Sequence, residues 1–218
     1  MQVGQIWRYP VKSMAGERLE RAHLGELGIE GDRVLCVRAP DGRVLTARSR
    51  PRLLGHRAVL APDGEPRIDG RVWRDPDVAR DVEAAAGPGA RLVRPEGEER
   101  FDVLPLLVAT DGAIAAFGHD GRRLRPNLVI EGVPALAERG WPGAVLRIRE
   151  VEIAVADLRQ RCVMTTFDPD SLAQDREVLR GINRRFGGKL GLDCAVLRGG
   201  SIAVGDPVEF APAERAAS

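Results

Sequence analysis

The chain has 218 residues, 44% of them apolar and 30% charged, with 33 basic residues against 32 acidic ones. These proportions describe an ordinary soluble globule, either one large β-rich domain or two small ones, long enough to bury a core without staples. A formal net charge of +1 excludes a broad polyanion-binding surface, so nucleic acid is not an expected partner. The three cysteines, Cys36, Cys162 and Cys194, are odd in number and far apart, which fits neither a disulfide framework nor a zinc site. Their usage suits a reducing cytoplasm. The N-terminus has no basic segment leading into a long apolar run, and no stretch reaches the length of a membrane span. A cytoplasmic protein without membrane contact is therefore expected.

In chain order, Val3 to Tyr9 predicts a first strand, β-branched and aromatic and closed by Pro10. The loop Tyr9-Pro10-Val11-Lys12-Ser13-Met14-Ala15-Gly16 offers a mobile charge and a hydroxyl donor, a chemistry that holds phosphate. A solvated loop lysine is the plain alternative, although Lys12 stands out in a chain whose only other lysine is Lys189. Arg18 to His23 predicts a second strand before the turn-rich residues 27–33. Val34 to Ala39 and Arg43 to Ala47, joined by Pro40-Asp41-Gly42, read as a hairpin, and Arg33 enters its first strand. Leu53 to Leu60 predicts another strand and Ala61-Pro62-Asp63-Gly64 another turn. Short strands and tight turns throughout this half point to a small barrel or sandwich.

Asp77 to Ala86 predicts a short amphipathic helix closed by Gly87-Pro88-Gly89, Arg91 to Arg94 a strand, and residues 95–100 a linker or exposed loop. Leu104 to Ala109 is a short buried run, and Thr110-Asp111 predicts an N-cap for a helix over Gly112 to Phe117. Arg122-Arg123-Leu124-Arg125-Pro126-Asn127 leads into a strand over Leu128 to Ile130. Pro126 favours an extended Arg125, so Arg125 and Asn127 would point to one side and converge on one ligand. Leu146 to Asp157 alternates as a strand that delivers Cys162; Asp175 to Phe186 predicts a helix ended by Gly187-Gly188, and Leu192 to Leu197 a strand. No glycine-rich phosphate loop opens a helix, which disfavours nucleotide folds.

The chemistry gathers in Arg159 to Asp170. Cys162 lies just past a strand end among arginines, in a positive field that suits a thiolate. A thiolate serves as a nucleophile or as a soft-metal ligand, and a buried, inert cysteine is the third possibility. Cys36 and Cys194 lie inside apolar runs and are expected in the core.

Three stretches together resemble the MOSC family, named for the C-terminal domain of molybdenum cofactor sulfurases: Leu124-Arg-Pro-Asn-Leu-Val-Ile130, Arg161-Cys162-Val-Met-Thr-Thr-Phe-Asp-Pro-Asp170 and Ile202-Ala-Val-Gly-Asp-Pro-Val208. Tyr9-Pro-Val-Lys-Ser13 and Gly31-Asp-Arg33 are similar to the β-barrel domain that precedes MOSC in the amidoxime-reducing branch. The resemblance spans about Val3 to Phe210. It implies a mostly β, α+β fold with short helices: an N-terminal β-barrel domain over 1–95, a MOSC β-barrel domain over 96–212, and a flexible tail at 213–218. It also implies a molybdenum cofactor (molybdenum–molybdopterin), and no pyridoxal phosphate. Cys162 falls on the metal-ligating cysteine, and Lys12, Ser13, Arg33, Arg125, Asn127 and Arg161 fall on positions that hold the pterin and its phosphate. The chain departs from the family at Val103-Leu104, where relatives often carry small hydroxyl residues, and at Gln160, where some have Ser.

The activity this implies is reduction of a small N-hydroxylated substrate, an amidoxime, hydroxylamine or N-oxide. Asp168 or Asp170 is placed to relay a proton, with a plain turn former as the alternative. Electrons would come from a separate ferredoxin- or cytochrome-type carrier with a flavoprotein reductase, since no cysteine spacing suits an iron–sulfur cluster. A carrier of the molybdenum cofactor, or of sulfur as a Cys162 persulfide, is the competing class. A cofactor-free structural β protein leaves the Lys12, Arg33, Arg125 and Cys162 set unexplained.

Overall fold

The structure, a computed structural model, describes residues 1–95 and 100–212. Short alternating runs punctuated by turns fold into a mostly β, α+β protein. The first half carries β1 (Gln2–Arg8), β2 (Glu17–Leu19), β3 (Arg21–Gly25), β4 (Gly28–Ile29), β5 (Cys36–Arg38), β6 (Val44–Leu45), β7 (Ala58–Leu60), β8 (Pro66–Ile68), β9 (Arg71–Val72) and β10 (Arg91–Val93). The second carries β11 (Leu106–Thr110), β12 (Leu128–Glu131), β13 (Val145–Ile148), β14 (Val151–Gln160), β15 (Lys189–Arg198), β16 (Gly200–Ala203) and β17 (Glu209–Ala211). Eight of these form one sheet in the order β17-β13-β14-β15-β11-β12-β1-β2, in which only β11 and β12 run parallel.

The helices form where capping chemistry predicts. In α1 (Pro76–Ala86) the Asp75 carboxylate accepts from Asp77 N–H at 2.8 Å, Pro76 opens the first turn, and Val78, Val82 and Ala86 make the buried face. Thr110 Oγ1 caps α2 (Asp111–Phe117) by accepting from Ala113 N–H at 3.0 Å. Asp175 caps α3 (Arg176–Phe186), which ends at Gly187 in the left-handed region. Among the described residues no helix is long and apolar enough to cross a membrane.

Two expected strands are corrected. Of Leu53 to Leu60, only Ala58–Leu60 is strand; the chain before it makes a 3-10 turn, Pro51–Gly55, because Pro51 has its φ preset for a first helical position. Leu146 to Asp157 is a hairpin, β13 to β14, turning at Arg149-Glu150 with Arg149 at φ 54°. Neither turn residue is Gly, Asn or Asp, so the usual hairpin signal is missing. The expected linker falls largely on 96–99 and the expected tail on 213–218, outside the described residues.

Two large cores result. Val3, Ile6, Leu24 and Ile29 from the N-terminal strands pack with Leu106, Leu128, Leu146 and Leu192. Val11, Met14, Val37, Leu53, Val78 and Val82 make the second core. A smaller cluster sets Leu124 against Phe117, Val178 and Ile182, fixing the turn before β12. The chain passes from the first core to the second between β1 and Met14, so the Tyr9 to Ser13 loop lies at their junction.

Candidate functional site

Cys162 lies two residues past the end of β14 and caps the 3-10 turn Val163–Thr166. Its carbonyl is engaged twice, by Thr165 N–H at 3.1 Å and by Thr165 Oγ1 at 2.9 Å. Its half-buried side chain lines a narrow pocket of about 70 Å³. Seven cations line the same pocket, Lys12, Arg33, Arg48, Arg123, Arg125, Arg159 and Arg161, against the carboxylates of Asp102 and Asp193. In a chain of net charge +1, that is a local concentration of positive charge, a chemistry that suits a multiply charged anion.

The backbone is strained at the same place. Ser13 (φ 73°), Arg33 (φ 50°) and Arg125 (φ 54°) are three of the seven non-glycine residues with positive φ among the described residues. Each costs roughly 1–2 kcal/mol, and such conformations persist where surrounding contacts over-determine them. Here those contacts are visible. Lys12 N–H donates to Leu35 O at 2.8 Å, Arg33 N–H to Tyr9 O at 2.8 Å, and Asp32 Oδ1 accepts from Tyr9 N–H at 2.7 Å. Ser13 Oγ accepts from Ala47 N–H at 2.9 Å, which leaves its hydroxyl proton free to donate.

Tyr9 ties the two sides together. Its hydroxyl donates to Pro126 O at 3.1 Å, and its ring lies 4.3 Å from the Arg125 guanidinium and 5.5 Å from that of Arg33. Burial pushes the Tyr9 hydroxyl up to about 12 despite those two cations, so it stays a donor at neutral pH. Arg125 also donates to Met14 O at 2.7 Å. It is left-handed rather than extended, standing as the cap of the 3-10 turn Gly121–Leu124.

Six of the expected residues therefore share the pocket: Lys12, Ser13, Arg33, Arg125, Arg161 and Cys162. Two do not line it. Asn127 is fully buried and spends its amide on backbone, accepting from Leu107 N–H at 3.1 Å and donating to Trp7 O at 3.3 Å. It joins β1, β11 and β12 two residues beyond Arg125, holding that arginine in place. Asp168 accepts from Arg123 at 3.0 Å and from Ser171 N–H at 2.9 Å, and those bonds and Arg123 hold its carboxyl below the usual range. That is the geometry of a turn former. Gln160 and Leu104 line the pocket, while Val103 is exposed.

Three lining residues carry no signal in the sequence: Arg48, Asp102 and Asp193. Asp102 is a hub, 3.0 Å from Lys12 Nζ, 2.8 Å from Arg48 and 3.8 Å from Arg159. Burial pushes its carboxyl up, but these charges overcome it and hold it below the usual range. Arg48 lies near enough to the Cys162 side chain to interact with it electrostatically. Arg159 pairs with Asp193 at 2.9 Å. The structure keeps Arg159 in the positive surroundings of Cys162 expected from the sequence.

Arg161 tests whether the pocket suits a bound group. Burial, then Arg159, pulls its guanidinium down to about 10; Nη2 donates to Leu124 O at 2.7 Å, and the buried Nε has no partner among the described residues. A buried guanidinium with an unmet donor, next to a thiol and other cations, is incomplete without an anion. The donor set fits a phosphate-bearing cofactor whose metal accepts a sulfur ligand. Beside this pocket, sharing Arg123, Arg125 and Met164 with it, lies a wider cavity of about 460 Å³ lined by Trp7, Tyr9, Arg57, Phe167 and Asp170 among others.

Residues 1–85 match the family model of the MOSC N-terminal beta barrel domain, and residues 113–209 that of the MOSC domain. Mitochondrial amidoxime reducing component 2 of Homo sapiens is 26% identical, across 94% of this chain and 82% of its own length. Mitochondrial amidoxime-reducing component 1 of Homo sapiens is 25% identical over the same shares. Among solved structures, the YUAD protein from Bacillus subtilis superposes with a TM-score of 0.54 at 13% identity, covering 98% of this chain and 96% of that one, a likeness of fold.

Proposed function

Since this chain belongs to the MOSC family, we propose that it binds a molybdenum–pterin cofactor in the cationic pocket and reduces small N-oxygenated compounds. The observation that carries this reading is the Cys162 side chain in a pocket with seven cations and a buried, unpartnered Arg161 Nε. The relatives named as amidoxime reducing components support the reaction class. When bound, the cofactor supplies the redox metal that takes oxygen from nitrogen.

The chain's own residues do the rest. Cys162 supplies the protein sulfur ligand, with Arg48 and Arg161 holding positive charge beside it. Arg161, Arg125, Arg33 and Lys12 hold the pterin and its phosphate, and the Ser13 hydroxyl donates to it. Asn127 is a positioning residue, through the strand junction beside Arg125. Reducing an amidoxime breaks the N–O bond and consumes two electrons and two protons; the products are the amidine and water. Three scattered cysteines offer no ligand set for an iron–sulfur cluster, which supports a separate redox protein as the electron donor. Asp168, held low and paired with Arg123, is a weak proton donor at neutral pH and serves the turn.

One feature favours the second reading, a non-catalytic carrier of the cofactor or of sulfur. Leu104 and Leu107 present apolar side chains to the pocket where polar donors would grip a resident group. Molybdenum per chain, measured for wild type and Cys162→Ser from a cofactor-competent host, tests the assignment. Near-stoichiometric metal in wild type and its loss in the variant are expected; equal metal in both removes Cys162 as the ligand. Reduction of benzamidoxime by the loaded protein with a chemical reductant separates enzyme from carrier.

A further inference from the structure

We infer that the wide half of the cleft is a substrate site for aromatic N-oxygenated compounds bearing an anionic substituent, and that Arg57 selects for the anion; this rests on the reductase reading above. The cavity of about 460 Å³ is within the size range of small-molecule sites. Because it shares Arg123, Arg125 and Met164 with the cationic pocket, a molecule inside it abuts the group held beside Cys162. Trp7, Tyr9, Met164 and Phe167 give it an aromatic and thioether lining suited to a planar ring.

Its charges are not equivalent. Arg122 is gripped by both oxygens of Asp170, at 2.8 and 2.6 Å, and by Asp120. Arg123 is paired with Asp168 at 3.0 Å. Arg125 is stacked on Tyr9 and belongs equally to the cationic pocket. Arg57 differs from all three. It is exposed, lines the wide cavity but not the narrow pocket, and its guanidinium meets no carboxylate among the described residues.

Its backbone is nevertheless held firmly. Arg57 N–H donates to Asp69 Oδ1 at 2.8 Å, and a bridge to Ala15 fastens it to another cavity-lining residue. The arrangement is a fixed Cα with an uncommitted cation in the part of the cavity wall that the narrow pocket does not share. A ring with its N–O group towards the shared wall would carry an anion on its opposite edge to Arg57. The anion takes no part in the reaction, which remains the two-electron, two-proton cleavage of the N–O bond to amidine and water, driven by the separate electron-donor protein.

The test compares benzamidoxime with its para-carboxylate on loaded wild type, Arg57→Ala and Arg57→Glu. In wild type the carboxylate should have a KM about tenfold lower, worth about 1.4 kcal/mol, and this advantage should shrink as salt is added. In Arg57→Ala the two KM values should come within about twofold of each other, and in Arg57→Glu their order should reverse, with kcat ratios unmoved. A wild type without preference, or an Arg57→Ala protein that keeps the wild-type KM ratio, overturns the inference. If loaded wild type reduces neither compound, the reductase reading fails instead. Calorimetric binding of the para-carboxylate to wild type and Arg57→Ala still decides the role of Arg57, since tighter binding by wild type supports it and equal binding rejects it.

Discussion

Arg122 and Arg123 on one side, and Arg125 and Arg161 on the other, stand around one cleft and meet opposite fates. The first two are neutralised by Asp120, Asp170 and Asp168 at a half-exposed edge. The second two are desolvated against backbone carbonyls, and burial pulls both guanidinium groups down. A neutralised arginine shapes a wall, whereas a desolvated one with an unmet donor stores an attraction for a ligand. The difference teaches where to look for the anion: not where arginines are most numerous in sequence, but where carboxylates are withheld.

Replacing members of each pair should widen or erase that contrast. The largest effect is expected for Arg161→Met, which should cut cofactor retained per chain by tenfold or more, about 1.4 kcal/mol or greater, when molybdenum and pterin are quantified after purification. The apo protein should melt no lower than wild type, because a buried, incompletely paired charge is replaced by a side chain of similar length. A large fall in apo melting temperature would instead make Arg161 a structural strut for Leu124.

Asp102→Asn comes next. Its folded-state carboxyl lies below its unfolded value, so its stabilisation is complete above about pH 4 and is lost as pH falls through the folded value. The variant should be less stable at neutral pH by about 1–3 kcal/mol, with a flatter loss of stability towards acid, in urea unfolding from pH 3 to 8. An acid limb as steep as wild type's would remove Asp102 as the hub of Lys12, Arg48 and Arg159.

The smallest effect is expected for Arg122→Met. Exposed ion pairs contribute about 0–1 kcal/mol, so stability should move within that range and cofactor content should stay at the wild-type level. Loss of cofactor on this substitution would break the distinction between the two sets.

Much of the fold was legible in local chemistry. The caps at Asp75, Thr110 and Asp175 and the Asp41-Gly42 turn act through atoms a few residues apart, so spacing alone reveals them. The Arg149-Glu150 turn was hidden because its left-handed residue is an arginine held by its hairpin rather than by its own preference. In the site, Lys12, Ser13, Arg33, Arg125, Arg161 and Cys162 were legible as a set because a motif keeps their order. Asn127 sits inside the same motif, but a motif does not say which way an amide points.

By itself, the sequence determined a mostly β chain with capped short helices, two core cysteines, and a third cysteine set among cations. Only the tertiary structure decided which charges stay unbalanced. Asp102 reaches Lys12 and Arg48, and Asp168 and Asp170 reach Arg123 and Arg122, across separations of 45 to 90 residues. Charge is additive along a chain, but desolvation and pairing depend on distance in space, and these separate an anion site from an ordinary arginine-rich surface.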